Sequence, residues 1–167
     1  MKIKVGVSVR HAHLTRETYE KLFGNDHLEV LRKLDQPGQY ASTSVITIKN
    51  GDRQIENVRV IGPFRNYNQV EISRTDCYYL KVDPPIRTSG DLDNSEAITI
   101  VGPNGEINLD FGLIVSDRHI HLTSDDVRKY GLTDFSKVCI KVDGEKAGII
   151  KNVYLKVLDE ASLSLHL

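Results

Sequence analysis

Apolar residues along this chain alternate with polar ones in short runs far more often than they recur at helical spacing. SVITIKN, ENVRVIGP, QVEIS, AITIVGPNGEINL, KVCIKVDGEKAGIIKNVYLKV and SLSLHL all read as strand, set apart by Gly, Pro, Asn and Asp. Asn50-Gly51-Asp52, between the first two runs, has the chemistry of a type I′ hairpin turn, and Asp143-Gly144 repeats the scheme. Helical spacing appears in two places. Tyr19, Leu22 and Phe23 follow Thr15 and end at Gly24. Val127 and Tyr130 follow Thr123 and end at Gly131, with Asp126 at the reciprocal position of a capping box.

The chain repeats itself. Residues 7–15 read VSVRHAHLT and residues 115–123 read VSDRHIHLT, identical at seven of nine positions at a spacing of 108. Ile3, Val5 and Val7 lead into one copy and Leu113, Ile114 and Val115 into the other, so each motif sits at the end of a strand. Strand, motif, helix and hairpins, twice over, predict a mainly β protein of two related small barrels with two short helices. One continuous β-sandwich is the alternative that periodicity leaves open.

At 167 residues the chain can bury a core without cross-links, as one domain or two small ones. Its 22 basic and 23 acidic residues nearly cancel, so no global field marks a nucleic-acid binder, and any anion must meet local positive charge. No apolar run approaches a membrane span, and MKIKVGVSV carries no signal-peptide pattern, so the expected setting is the cytosol. Cys77 and Cys139, far apart in apolar or aromatic surroundings, are expected to be buried, reduced thiols.

Five of the six histidines fall in a pattern: His11 with His13, His119 with His121, and His166; only His27 stands outside it. On an extended chain residues i and i+2 share a face, so each His-x-His offers two imidazoles to one metal ion while Ala12 or Ile120 faces the core. Zinc then needs a third protein ligand and, for catalysis, an open position. His166 is a candidate for one site, and Glu71, between Val70 and Ile72, for the other. Alternation alone leaves Glu71 equally readable as a solvent-facing strand residue. Arg65, Arg74 and Arg87 lie in connecting segments where a guanidinium can clamp phosphate, and Arg10 and Arg118 adjoin the histidines.

GVSVRHAHLT, GPFRNYNQVEISRTD, PPIRTSGD, GEINL and VSDRHIHLT, in this order, resemble the PduL-type phosphotransacylases, the phosphate propanoyltransferase family of propanediol utilisation, over nearly the whole chain. The resemblance implies two interlocked β-barrels with short capping helices, in which the first strand belongs to the second: residues 10–116 form one domain, and 1–9 with 117–167 the other. It implies two zinc ions per chain, one held by His11, His13 and Glu71, the other by His119, His121 and His166. Arg65 would contact phosphate, and coenzyme A would lie across the cleft between barrels with its sulfur at the metal. Val9 departs from the family, which commonly has Asn there. Members also continue past Leu167 with an acidic segment, so the strand carrying His166 is expected to fray.

The activity so implied interconverts acyl-CoA plus phosphate with acyl phosphate plus CoA, for a short acyl chain, acetyl or propanoyl. Arg10, Arg87 and Arg118 are further candidates for binding phosphate or CoA. A two-zinc hydrolase of a thioester or phosphoester, and a non-catalytic zinc-stabilised scaffold, are the alternative readings. A homodimer and association with a bacterial microcompartment stay open as partners.

Overall fold

The computed structural model describes residues 3–7, 9–133, 136–158 and 163–166. Its strands are β1 (Lys4–Gly6), β2 (His11–His13), β3 (Val30–Lys33), β4 (Tyr40–Asn50), β5 (Arg53–Gly62), β6 (Gln69–Ile72), β7 (Ile86–Arg87), β8 (Glu96–Gly102), β9 (Gly105–Ser116), β10 (His119–Leu122), β11 (Lys137–Val142), β12 (Gly148–Val157) and β13 (Ser164–His166). The helices are α1 (Arg16–Phe23), α2 (Arg74–Leu80) and α3 (Ser124–Tyr130). The protein is mainly β. Of the expected strand SLSLHL, Ser162 and Leu167 lie outside the described residues, as does Ser8 of the first motif.

Two compact units share the chain: Val9–Leu34 with Gly38–Ser116, and Met1–Ser8 with Asp35–Pro37 and Asp117–Leu167. In the first, β4, β5, β2, β6, β9 and β8 pair in that order and β8 returns to β4, closing a six-stranded barrel. Closure removes the edges a sandwich would leave. Ala12, Leu14, Ile48, Val60, Val70, Ile100 and Leu113 fill the barrel, none of them exposed. In the second unit five strands pair in the order β1, β13, β10, β12, β11, over a smaller core of Ile120, Leu122, Val153, Leu155 and Leu165. The first strand therefore joins the C-terminal unit, pairing in parallel with β13.

The two units treat their motif strands alike. β2 runs parallel to β5 and antiparallel to β6, and β10 runs parallel to β12 and antiparallel to β13. Ala12 and Ile120 point into their respective cores as the alternation requires.

Local chemistry explains the elements. Thr15 caps α1 by accepting from Thr18 N (3.1 Å), and Gly24, at φ 75°, closes it in the left-handed conformation. Thr123 and Asp126 form the expected capping box on α3, which keeps no fully buried residue and lies on its unit as an exposed cap. The hairpin of β4 and β5 turns through Gly51 and Asp52, but only Gly51 takes a positive φ (59°), which fits a II′ turn rather than the expected I′. A third helix, α2, stands where two were expected. Ser73 and Asp76 make a complete capping box there, and Arg74, read as a loop residue, opens the helix and pairs with Asp83 at 2.7 Å. Both cysteines are free; Cys77 is buried as expected but Cys139 is exposed, because β11 turns it outward.

Candidate metal centre

In β2, His11 and His13 share the face opposite Ala12. β6 lies antiparallel beside them, with His11 opposite Glu71 and His13 opposite Gln69, so all four side chains occupy one face. Gly112 lets β9 crowd against the start of β6: it takes φ +119°, and a Cβ there would come within 2.6 Å of the Asn68 carbonyl oxygen. Asn68 also holds the start of α1, accepting from Thr15 N (2.9 Å) and donating to Thr18 Oγ1 (2.9 Å). The segment between β5 and β6 is thereby fixed to the motif.

The ligand atoms of His11, His13 and Glu71 lie within 4.8 Å of one another, and among the described residues they are the one group of three so gathered. His11 Nε2 stands 3.5 Å from Glu71 Oε1, and the two imidazoles meet edge to face at 5.1 Å. Glu71 is only 5% exposed, which answers the ambiguity left by alternation: every residue of β6 is buried, so neither face of that strand meets water. Burial works to raise its pKa, but His11, by charge and hydrogen bond, and the Ser116 hydroxyl overcome this and hold it below the usual carboxylate range. Burial likewise works against a charged His11, and Glu71 outweighs it, leaving that pKa raised. His13 goes the other way. Burial first, then the neighbouring His11, lowers its pKa to about 3, so it is a neutral imidazole near pH 7.

Among the described residues, Nδ1 of His13 is buried with no hydrogen-bond partner, and so is Nε of Arg65. Buried polar atoms seldom go without partners. A neutral imidazole nitrogen with nothing to accept from is suited to a metal, and two histidines with one carboxylate form a donor set that zinc uses in catalytic sites, with a position left over. The residues present fit such an ion. Arg65 donates its backbone N–H to Leu14 O (2.9 Å), and its charge works against protonation of both His11 and His13, which places a fixed cation beside the cluster.

His119, His121 and His166 come together in the second unit, with ring centroids 4.7, 4.8 and 5.2 Å apart. In the ladder of β10 and β13, His119 stands opposite His166 and His121 opposite Ser164, so His166 takes the register position of Glu71. His119 Nδ1 lies 2.9 Å from the Asp117 carbonyl, which acts as its acceptor. Burial, then the charges of His119, His166 and Lys156, lower the pKa of His121 to about 3.

The remaining arginines are differently engaged. Arg10 donates to both oxygens of Asp76 (2.8 and 3.1 Å), locking the residue before His11 onto the capping box of α2. Arg87 donates to the carbonyls of Asp93 and Ile86, both at 3.0 Å, within its own loop. Arg118 is exposed. His27 lines a separate cleft of about 510 Å³ with Arg16, Asp26, Tyr40 and Phe64. Gln69, Ser116, Ser164 and the Asp117 carbonyl were not singled out by sequence reasoning. The signal for Gln69 and Ser164 was present, since each lies two residues before a candidate ligand and so shares its face.

Among the described residues no helix is long and apolar enough to cross a membrane. The pattern describing the phosphate propanoyltransferase family matches residues 4–167. A phosphate propanoyltransferase of Thermotoga maritima is 45% identical over 98% of this chain and 79% of its own length. Namesakes from Lachnoclostridium phytofermentans and Salmonella typhimurium are 42% and 38% identical, each over 99% of this chain and 78% and 79% of their own lengths. The chain belongs to the phosphate propanoyltransferase family.

Proposed function

We propose that this chain transfers a short acyl group, acetyl or propanoyl, between coenzyme A and inorganic phosphate, with two zinc ions per chain. His11, His13 and Glu71 would hold one ion, and His119, His121 and His166 the other, on the two units taken as domains. The observation that supports this reading most is the pair of buried, partnerless atoms, His13 Nδ1 and Arg65 Nε: one site wants a cation and the other an anion. Family membership supports the transacylation.

Zinc, when bound, supplies a Lewis acid for the thioester carbonyl and a soft partner for the departing thiolate. The protein's own groups do the rest. Arg65 presents its guanidinium fork to phosphate and holds it for direct attack on the carbonyl carbon. The new C–O bond forms as the C–S bond breaks, and the CoA thiolate leaves. Phosphate at neutral pH is already an anionic nucleophile, so no side chain need take a proton from it, and no covalent enzyme intermediate is required. Arg118, exposed beside His119, is the further candidate for binding phosphate or CoA. Arg10 and Arg87 would act by holding α2 and the loop after β7. The protein would work in the cytosol, free or inside a protein shell.

Thiol release from propanoyl-CoA and acetyl-CoA, followed with and without inorganic phosphate, tests the proposal. Release that needs phosphate is the expected outcome. Equal release without phosphate would make the protein a hydrolase, and none at all would leave a zinc-stabilised scaffold.

A further inference from the structure

Gln69 has no exposed surface, and its amide is fully committed. Nε2 donates to Glu71 Oε1 (2.6 Å) and to Ser89 Oγ (2.8 Å), and Oε1 accepts from Gly90 N (2.8 Å). A buried amide is costly unless bonded in this way, and a methionine of similar length would fill the space without that demand. Packing alone does not call for glutamine here.

The second unit does the same thing with a different residue. Gln69 stands opposite His13 and precedes Glu71 by two; Ser164 stands opposite His121 and precedes His166 by two. Ser164 Oγ lies 3.3 Å from His166 Nε2. Unlike side chains at equivalent positions, each bonded to the third member of its cluster, point to a role fixed by position. Ser89 and Gly90, which Gln69 also holds, follow Arg87 after Thr88. Arg87 pairs in register with Ser116, whose hydroxyl reaches Glu71. The segment carrying Arg87 is thus attached to Glu71 by two separate routes.

We propose that Gln69 is a positioning residue: it orients the Glu71 carboxylate toward the metal and ties Ser89 and Gly90 to it, so that the metal centre and the Arg87 segment keep one geometry. The inference rests on the reading that His11, His13 and Glu71 hold a metal ion. Side chains that hold a metal ligand in place typically matter by about tenfold to a hundredfold in metal affinity.

Cobalt(II) titration of the metal-free full chain, followed by visible absorption, tests this in a His121→Ala background where the barrel site alone reports. Gln69→Met should weaken cobalt binding by about tenfold or more, shift the absorption bands, and speed amide exchange across residues 86–91 as Gly90 N loses its acceptor. Gln69→Asn, too short to span both partners, should weaken binding likewise and serves if the methionine variant fails to fold. A lower melting temperature with unchanged cobalt affinity, in whichever variant folds, overturns the inference alone. Failure of the Gln69-containing background protein to bind cobalt overturns the metal reading and this inference with it.

Discussion

Glu71 faces His11 directly across the ladder of β2 and β6, its Oε1 3.5 Å from the imidazole Nε2. The same register in the other unit sets His166 opposite His119. A repeated His-x-His strand therefore meets a second strand that offers one further candidate ligand each time, carboxylate in one case and imidazole in the other. The two differ in formal charge by one, so the ions they hold would differ in Lewis acidity.

Replacing Glu71 by Gln keeps the shape and removes the charge. Dialysed protein should then retain about one zinc ion fewer per chain than wild type, measured by elemental analysis. Retention of full metal by the variant would count against Glu71 as a ligand.

Arg65→Lys keeps the positive charge but loses the planar fork. The KM for phosphate should rise about tenfold or more, while the KM for acyl-CoA stays near its wild-type value. Steady-state kinetics with each substrate varied in turn decide this, and an unchanged phosphate KM would remove Arg65 from the anion site.

Much of this site could be read from the chain before any coordinates. The two Arg-His-x-His-Leu-Thr strings declare themselves by identity, and Thr15 and Thr123 cap helices because capping is a local matter of a few residues. Glu71 was harder. A strand buried on both faces gives no alternation to read, so its inward aim emerges only once β6 is known to lie between β2 and β9. Gln69, two residues before Glu71 and on the same face, was legible from that spacing. The closing pair of β8 with β4 depends on contacts about fifty residues apart, which no local pattern encodes. The helix α2, by contrast, was legible: Ser73 and Asp76 spell a capping box, hidden by reading Arg74 as part of a loop.

Acid should weaken the metal-free protein. His13 and His121 have pKa values lowered from 6.5 to about 3 in the fold, so below about pH 6.5 the unfolded chain binds protons that the folded chain does not. Their stabilisation is complete above that value and is lost progressively as pH falls toward about 3. His13 is faced by His11, Glu71 and Arg65, and His121 by His119, His166 and Lys156. The raised pKa of His11 opposes the trend, since its contribution is present at low pH and fades as pH rises through its folded value. Denaturant midpoints of chelator-treated protein should fall between about pH 7 and about pH 5. A flat profile would show that these histidines are not buried in neutral form.

Asp76→Ala removes both the reciprocal cap of α2 and the partner of Arg10. Stability should fall by about 2 kcal/mol, read as a lower melting temperature, with bound zinc unchanged. Loss of zinc in parallel would mean that Arg10 also governs the placement of His11.

Phosphorus NMR of a mixture of propanoyl-CoA, inorganic phosphate and the protein, zinc-stripped and then reloaded, tests the central claim most directly. The expected result is an acyl phosphate resonance that appears with the reloaded protein, is absent with the stripped one, and is lost in Arg65→Ala. Acyl phosphate formed at the same rate without zinc, or none formed by fully loaded protein, would contradict it.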